Sequence, residues 1–150
     1  MMQNLPENYR AVVFGASGAI GGGFVRALSN DPRCAVVHAG ARTSPAATGK
    51  KMRPFVFDLE DESSIERSVS AIAKDGPLHL ILIATGVLHA EQMQPEKTWR
   101  ALSADALTRA YAVNAVGPAL IAKHTLSLLP SDARAVFAAL SARVGSIEDN

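Results

Sequence analysis

The feature that most constrains this chain is a glycine-rich turn that joins a strand pattern to a helix pattern within residues 10–28. Ala11–Phe14 is an apolar run long enough for one buried strand, and a glycine follows it directly. Phe24, Val25 and Leu28 then recur at the spacing of one helix face. A strand that turns on glycine into a helix is how an α/β protein holds a dinucleotide, so this stretch predicts such a site.

The small residues of the turn have separate predicted roles. Gly15 permits the tight turn, and Gly21 lets the helix lie close to the strand. The helix N-terminus offers unpaired N–H groups and a partial positive charge to a pyrophosphate. Glycine-rich turns also arise where a helix merely crosses a strand closely, but further βα patterns downstream favour the dinucleotide interpretation. The predicted cofactor contacts in the turn are Gly15, Ser17, Gly18, Ala19, Ile20 and Gly21.

Length and charge exclude several other classes of protein. A chain of 150 residues fits one domain, and 15 basic against 14 acidic residues give no reason to expect a nucleic-acid partner. Cys34 is the only cysteine, which excludes an internal disulfide and fits a reducing compartment. The first residues have no apolar signal core, and no apolar stretch has membrane-spanning length. We therefore expect a soluble, cytoplasmic protein with no membrane or nucleic-acid partner.

The loop after the second strand carries the predicted cofactor preference. Cys34–Ala39 predicts that strand, and Arg42 lies 21 residues beyond Gly21, with no acid between residues 38 and 51. In this fold an acid there accepts from a ribose 2′-hydroxyl and favours NAD, whereas an arginine bonds a 2′-phosphate and favours NADP. The alternative is a solvated basic loop. The prediction is an NADP site, with NAD as the second choice.

The third strand pattern also ends in a polar residue. Pro54–Phe57 predicts the strand, and Asp58 and Leu59 follow it at the edge of the sheet where such folds bind ligands. The Asp58 carboxylate either accepts a hydrogen bond from the adenine amino group or caps the next helix. Three apolar residues at helical spacing predict the buried face of that helix: Ile65, Val69 and Ile72.

Two further strand patterns complete a parallel sheet. Leu78–Ala84 is nearly all apolar, as expected for a central strand buried on both faces, and Ala135–Leu140 is the fifth strand. Small residues after the fourth strand again let the backbone approach a cofactor, namely Ala84, Thr85 and Gly86. The predicted fold is a doubly wound, Rossmann-like three-layer α/β/α sandwich with five parallel strands.

A long helix is predicted over residues 104–129, with Ser103 as its N-cap. Pro118 cannot donate to the carbonyl of Asn114, so that carbonyl is freed and the helix should bend near Gly117. The polar side chain and the free carbonyl could together hold an ordered water. From the residues alone, a kink needed only for packing is the preferred explanation.

Other polar residues give weaker indications. Ser141 follows the fifth strand, where a hydroxyl either contacts a substrate or caps the turn. The four histidines have no paired spacing suited to a metal ion, so no metal site is predicted.

Taken in order, these motifs resemble those of the short-chain dehydrogenase/reductase family, and are most similar to the branch of C-factor-like proteins and small carbonyl reductases. The resemblance covers essentially the whole chain. The matching residues are Gly15 to Gly21, Arg42, Asp58 with Leu59, Ala84 to Gly86, Asn114 and the Ser141 region.

The resemblance implies hydride transfer between NAD(P)H and a small carbonyl or alcohol substrate. In the family a tyrosine is the general acid or base, a lysine lowers its pKa, and a serine orients the carbonyl oxygen. The carbonyl of an asparagine binds a water in the proton relay. The resemblance assigns these last two roles to Ser141 and Asn114, with Ser146 as a second candidate for the serine because the spacing to Gly145 departs from the family pattern.

Two other departures from the family pattern limit what this chain should do. Ala84 stands where the family motif usually has asparagine, and no Tyr-x-x-x-Lys pair occurs, since Tyr9 is followed four residues later by Val13 and Tyr111 by Ala115. We expect the N-terminal cofactor-binding part of such an enzyme, catalytically incomplete and with an exposed sheet edge. The alternatives are a protein that senses NAD(P) without turnover and an interaction protein that forms homo-oligomers through helix 104–129.

Overall fold

The computed structural model describes residues 4–47, 49–87, 98–142 and 148. Its strands are β1 Tyr9–Phe14, β2 Cys34–Ala41, β3 Met52–Val56, β4 Leu80–Ile83 and β5 Val136–Ala139. Its α-helices are α1 Ala19–Asn30, α2 Glu62–Ala73, α3 Ala104–Tyr111 and α4 Gly117–Thr125. The strands form one parallel sheet in the order β3-β2-β1-β4-β5. The predicted doubly wound α/β fold is confirmed.

Helices cover both faces of the sheet because alternate side chains of each strand point in opposite directions. One core cluster lies between the sheet and α1, and includes Ala11, Val13, Val25 and Leu28. The other lies between the sheet and the pair α2 and α4, and includes Val12, Phe14, Ile65 and Ile121. The central strand β1 therefore contributes to both layers, as expected for a strand buried on both faces.

Helix α2 begins at a different aspartate from the one that the sequence suggested. Asp61 is the N-cap, and its Oδ1 accepts from the Ser63 N–H at 3.0 Å. Asp58 instead accepts from the Glu60 N–H at 3.0 Å, in the turn before the helix. The alternative role of Asp58 as the helix cap is therefore wrong, since the helix starts three residues later. The predicted buried face of this helix is confirmed, namely Ile65, Val69 and Ile72.

The predicted continuous helix over 104–129 is interrupted in the structure. Ser103 is the N-cap of α3, as expected, and accepts from the Ala106 N–H at 3.5 Å. A π-helical segment, Ala112–Val116, separates α3 from α4, and a 3₁₀ turn over Leu126–Leu128 ends the run.

The change of helix type lies directly before the proline. The Gly117 N–H donates to the carbonyl of Ala112, five residues back, instead of to the usual partner four residues back. Pro118 has no N–H to continue the α-helical ladder to Asn114, so the backbone changes register where that bond is lost. Pro118 predicted a bend at this position but not a π-helical segment.

Apolar side chains remain exposed beside the β5 edge of the sheet. Among the described residues β5 pairs only with β4. Val136 and Leu140 are 40% and 41% exposed. This agrees with the expected exposed edge. The helices within the described ranges are all too short or too polar to cross a membrane.

Candidate cofactor-binding site

A cleft opens at the point where the strand order reverses. Strand β1 pairs with β2 on one side and with β4 on the other. The chain therefore builds the sheet in opposite directions from β1, which leaves a crevice at the carboxyl ends of the strands. The cleft has a volume of about 360 Å³. Predicted site residues from four different loops line it, namely Gly15, Ser17, Gly18, Arg42, Asp58, Leu59, Ala84, Thr85 and Gly86. We call it the switch-point cleft.

Gly15 is held in a conformation and a space that only glycine fits. Its φ is +91°, and a Cβ at this residue would lie 2.8 Å from the carbonyl of Ala84 and 2.9 Å from the Thr85 nitrogen. The N–H groups of Gly15 and Ala16 both donate to the Gly40 carbonyl, at 2.9 and 2.8 Å. The turn after β1 is therefore fixed against the ends of both neighbouring strands.

Gly21 brings the first turn of α1 into direct contact with this same turn. The residue is buried, and a Cβ there would overlap the carbonyl oxygen of Gly15 and lie 2.8 Å from its carbonyl carbon. The predicted close approach of helix and strand is thus made through backbone atoms. Side chains at this residue are excluded by groups that cannot move aside.

The N-terminus of α1 lies beside the cleft, which its N-cap Gly18 lines, whereas the predicted contacts Ala19, Ile20 and Gly21 do not line it. Its N-cap is Gly18, which has no side chain to bond the first amides. Ala19 and Ile20 are the first two residues of the helix, so their N–H groups have no acceptor within it. No other described residue accepts from them. Both residues are exposed. Free amides together with the helix dipole make this a site suited to a phosphate or other anion.

Two arginines line the cleft from different elements. Arg42 is exposed beyond the end of β2, and no described residue forms an ion pair or side-chain hydrogen bond with it. Arg109 reaches the cleft from α3, together with Val113 one turn later. Sequence analysis identified the first arginine and missed the second. The spacing of four residues between Arg109 and Val113 was the available signal, but it does not reveal which face of the helix meets the cleft.

Thr85 carries a polar atom that nothing in the described chain satisfies. Its Oγ1 is buried and has no hydrogen-bond partner there, although the residue lines the cleft. A buried hydroxyl without a partner costs about 1–3 kcal/mol, so a ligand hydroxyl at this point would be favoured. The residues present therefore fit a sugar–phosphate ligand: amides and arginines for phosphate, and a hydroxyl for ribose.

Asn114 holds the loop that follows β4. Its Oδ1 accepts from the Val87 N–H at 2.8 Å, and its Nδ2 donates to the Val87 carbonyl at 2.7 Å. Val87 lines the cleft beside Gly86. Sequence analysis assigned Asn114 a water-binding role through its carbonyl, which stays a prediction, and missed this use of its side chain. The pairing joins residues 27 positions apart, so no local pattern reports it.

We expect Asn114→Ala to lower the free energy of unfolding by about 1–2 kcal/mol, because two hydrogen bonds to Val87 are lost. Asn114→Asp should be no more stable than Asn114→Ala, because aspartate keeps the acceptor for the Val87 N–H but places a carboxylate against the Val87 carbonyl. Urea unfolding of the three chains measures both effects. A fully stable Asn114→Asp chain would contradict the paired bonding.

The serine candidates are not part of the cleft as the structure describes it. Ser141 lies two residues beyond the end of β5, is exposed, and does not line the cleft. Ser146 falls outside the described residues. The carbonyl-orienting role therefore stays a prediction that follows from the resemblance alone.

Comparison with known proteins finds structural but no sequence relatives. No protein-family model and no curated protein matches the chain. The protein Sniffer of Caenorhabditis elegans, described as a carbonyl reductase, superposes with a TM-score of 0.78 at 23% identity, covering 97% of this chain and 68% of that protein. An NADPH-bound carbonyl reductase from chicken fatty liver gives 0.68 at 20% identity, covering 84% and 50%.

A third neighbour, a short-chain dehydrogenase/reductase from Serratia marcescens, has a TM-score of 0.69 at 20% identity, covering 85% of this chain and 55% of its own. The chain thus spans about half the length of the chicken and Serratia proteins. At these identities the similarity is evidence for the fold alone. It confirms that the fold resembles that of short-chain dehydrogenases and reductases.

Proposed function

We propose that this chain binds NADP(H) in the switch-point cleft and forms the cofactor-binding part of an oxidoreductase that acts on a small carbonyl or alcohol. One observation carries the proposal: the turn Gly15–Gly18, built only of small residues, and the uncapped N-terminus of α1 lie where the strand order reverses. The fold neighbours, one of which is NADPH-bound, support the same class of activity.

Each part of the cleft fits one part of the cofactor. The amides of Ala19 and Ile20 would hold the diphosphate, and Arg42 would form charge-assisted bonds to a 2′-phosphate. Asp58 has one carboxylate oxygen engaged by the Glu60 N–H and would use the other toward the adenine amino group. The Thr85 hydroxyl would bond a ribose hydroxyl. The bound nicotinamide supplies the hydride chemistry.

Proton transfer is the function that these residues do not provide. The sequence contains no Tyr-x-x-x-Lys pair, and loss of a general acid typically slows a reaction by about 10²–10⁴-fold. We therefore expect this chain of 150 residues to bind cofactor with little or no carbonyl reduction. Asn114 and Ser141 would act only together with such an acid.

Calorimetric titration of the chain with NADPH and with NADH tests the proposal. We expect saturable 1:1 binding of NADPH, weaker binding of NADH, and no NADPH oxidation above background with small aldehydes and ketones. Absence of binding for both cofactors would overturn the proposal. Equal affinities would remove the role of Arg42 while leaving the site itself.

A protein that senses NAD(P) without turnover is the alternative function. The same cleft serves both functions, so cofactor binding alone does not distinguish them. The two differ in a longer chain: turnover that depends on an added tyrosine–lysine segment indicates an enzyme, whereas cofactor binding that alters association with another protein indicates a sensor.

Oligomer formation through residues 104–129 also stays a prediction. The apolar side chains that a second copy would bury are Leu107 and Tyr111, which lie one turn apart on α3. They are 50% and 68% exposed.

A further inference from the structure

A second pocket lies on the opposite side of β2 from the N-terminus of α1. It is an open groove lined by α2 and by residues of β2 and β3, at the β3 edge of the sheet, and has a volume of about 540 Å³. No residue that lines it also lines the switch-point cleft. We call it the α2 pocket. Its volume lies within the range of small-molecule sites.

The walls of the α2 pocket combine apolar surface with a guanidinium group that has no carboxylate partner among the described residues. Apolar lining on the α2 side of the sheet comes from Phe55, Ala71 and Ile72. The charged side chains are Arg53, Arg67 and Asp75, and Arg67 is paired with Asp61. An unpaired arginine beside apolar surface favours a ligand with an apolar body and a negative charge.

The two arginines differ in how many donors they have available. Arg67 is engaged within its own helix turn, with the Ser63 hydroxyl at 2.8 Å and the Asp61 carboxylate at 3.6 Å. Arg53 donates one bond, from Nη1 to the Lys50 carbonyl at 2.9 Å, and no described carboxylate pairs with it. Its remaining N–H groups form a planar fork that matches a carboxylate.

His38 supplies an independent sign of a ligand. It is only 4% exposed and lines the pocket beside Arg53, its register partner on β3. Its Nε2 has no hydrogen-bond partner among the described residues, because the Asp75 carboxylate lies 3.4 Å away without hydrogen-bond geometry. A buried ring nitrogen left in this state is costly, so a ligand that completes its bonding is favoured.

We propose that the α2 pocket is a second binding site, for a small organic carboxylate. Arg53 binds the carboxylate group, the apolar wall of Phe55, Ala71 and Ile72 holds the body of the ligand, and His38 completes the polar end as Asp75 moves away from its ring. Asp75 can do so because its side chain is 52% exposed. A dianionic phosphate fits less well, since only one arginine has unused donors.

Binding should be coupled to a proton at His38. Burial lowers the pKa of His38, Asp75 opposes this, and Arg10 of β1 and Arg53 of β3 lower it further. A bound carboxylate that replaces Asp75 and accepts a hydrogen bond from the Nε2–H raises the pKa, because Asp75 lies 3.4 Å away without hydrogen-bond geometry. The ligand therefore binds more tightly to the protonated ring. Affinity therefore increases as the pH falls through the pKa of the bound state.

Benzoate and its neutral analogue benzamide test the proposal on the unaltered chain by calorimetry. We expect benzoate to bind at least about tenfold more tightly than benzamide and than inorganic phosphate. Its affinity should increase from about pH 8 to about pH 6, with proton uptake visible as a dependence of the heat on buffer ionisation. Equal binding of benzoate and benzamide, tighter binding of phosphate, or no binding of benzoate overturns the proposal.

Matched variants locate the site. Arg53→Gln should weaken benzoate by about tenfold or more, whereas Arg26→Gln, on the exposed face of α1, should not. Ala71→Leu should block the pocket, whereas Ser70→Leu, the exposed neighbour in α2, should leave binding unchanged. Equal effects within either pair contradict the location.

Two controls separate this inference from the cofactor site and from misfolding. Arg42→Glu should leave benzoate binding intact. If the unaltered chain binds NADPH but not benzoate, the α2 pocket is rejected and the cofactor site is not. His38→Gln should remove the pH dependence. If that variant does not fold, the proton uptake of the unaltered chain answers the same question, and its absence rejects the role of His38.

Discussion

Gly21→Ala is expected to lower the free energy of unfolding by about 3 kcal/mol and to remove NADPH binding. The added methyl group would overlap the Gly15 carbonyl oxygen and lie 2.8 Å from its carbonyl carbon. Both atoms belong to the backbone of the turn, so relief requires the helix or the turn to move, and forcing atoms into such a contact typically costs about 1–3 kcal/mol or more. Either movement displaces the amides that would hold the diphosphate.

Gly23→Ala is the matched control, two residues later in the same helix. A Cβ there would have only an Arg26 side-chain nitrogen nearby, at 3.9 Å. Because alanine is the better helix former, this variant should be more stable than the parent chain by about 0.5–1 kcal/mol. Urea unfolding and NADPH titration of both variants measure the contrast. If the two variants changed stability in the same direction, the proposed contact between helix and turn would be wrong.

Arg42→Glu is expected to weaken NADPH by about a hundredfold and to change NADH affinity by less than about threefold. Charge-assisted hydrogen bonds to a phosphate contribute about 1.5–3 kcal/mol, and the substitution both removes them and places a negative charge beside the 2′-phosphate. NADH has no phosphate at that position. The exposed guanidinium of Arg42 has no described partner to lose, so the fold should be unaffected.

Arg26→Glu provides the same change of charge on α1, outside the cleft, and should affect the two cofactors equally and slightly. Binding of NADPH and NADH to each variant by calorimetry gives the comparison. Parallel losses for both cofactors in Arg42→Glu would mean that the arginine supports the site in some other way.

The fold could be predicted because its signals are local. Ala11–Phe14 and Leu80–Ile83 are short apolar runs in the sequence and central strands in the sheet. The glycine turn between β1 and α1 fixed the relation of the first strand to its helix, since Gly15 has a positive φ that few other residues adopt. Connections between parallel strands of one sheet are almost always right-handed, so these strand–helix units can be arranged in only a few topologies.

Residues of the site that depend on distant contacts could not be predicted. Arg109 and Val113 reach the cleft only because α3 lies across the ends of the strands. The bonds between Asn114 and Val87 join two elements whose relative placement no spacing encodes. His38 lies within the strand predicted over Cys34–Ala39, and no local pattern indicates that Arg53 and Asp75 lie beside its ring.

The start of α2 and the break in the helix predicted over 104–129 both depend on which backbone groups pair, and the sequence does not show this pairing. Asp58 and Asp61 are both suited to cap a helix, and the choice was decided by where the chain leaves β3. Pro118 marked a break in the helix, but the type of break depends on which carbonyl the Gly117 N–H reaches.

The Gly40 carbonyl connects the end of β2, beside Arg42, to the glycine turn after β1. It accepts from both Gly15 and Ala16, and Arg42 follows two residues later on the same strand end. In the proposed NADP(H) site, cofactor preference and affinity are therefore coupled. A mutation that shifts the end of β2 to accommodate another ribose would also shift the Gly15 and Ala16 amides, and with them the turn proposed to bind the diphosphate. Redesign of the preference should therefore exchange side chains beyond Ala41 and leave the backbone of that strand untouched.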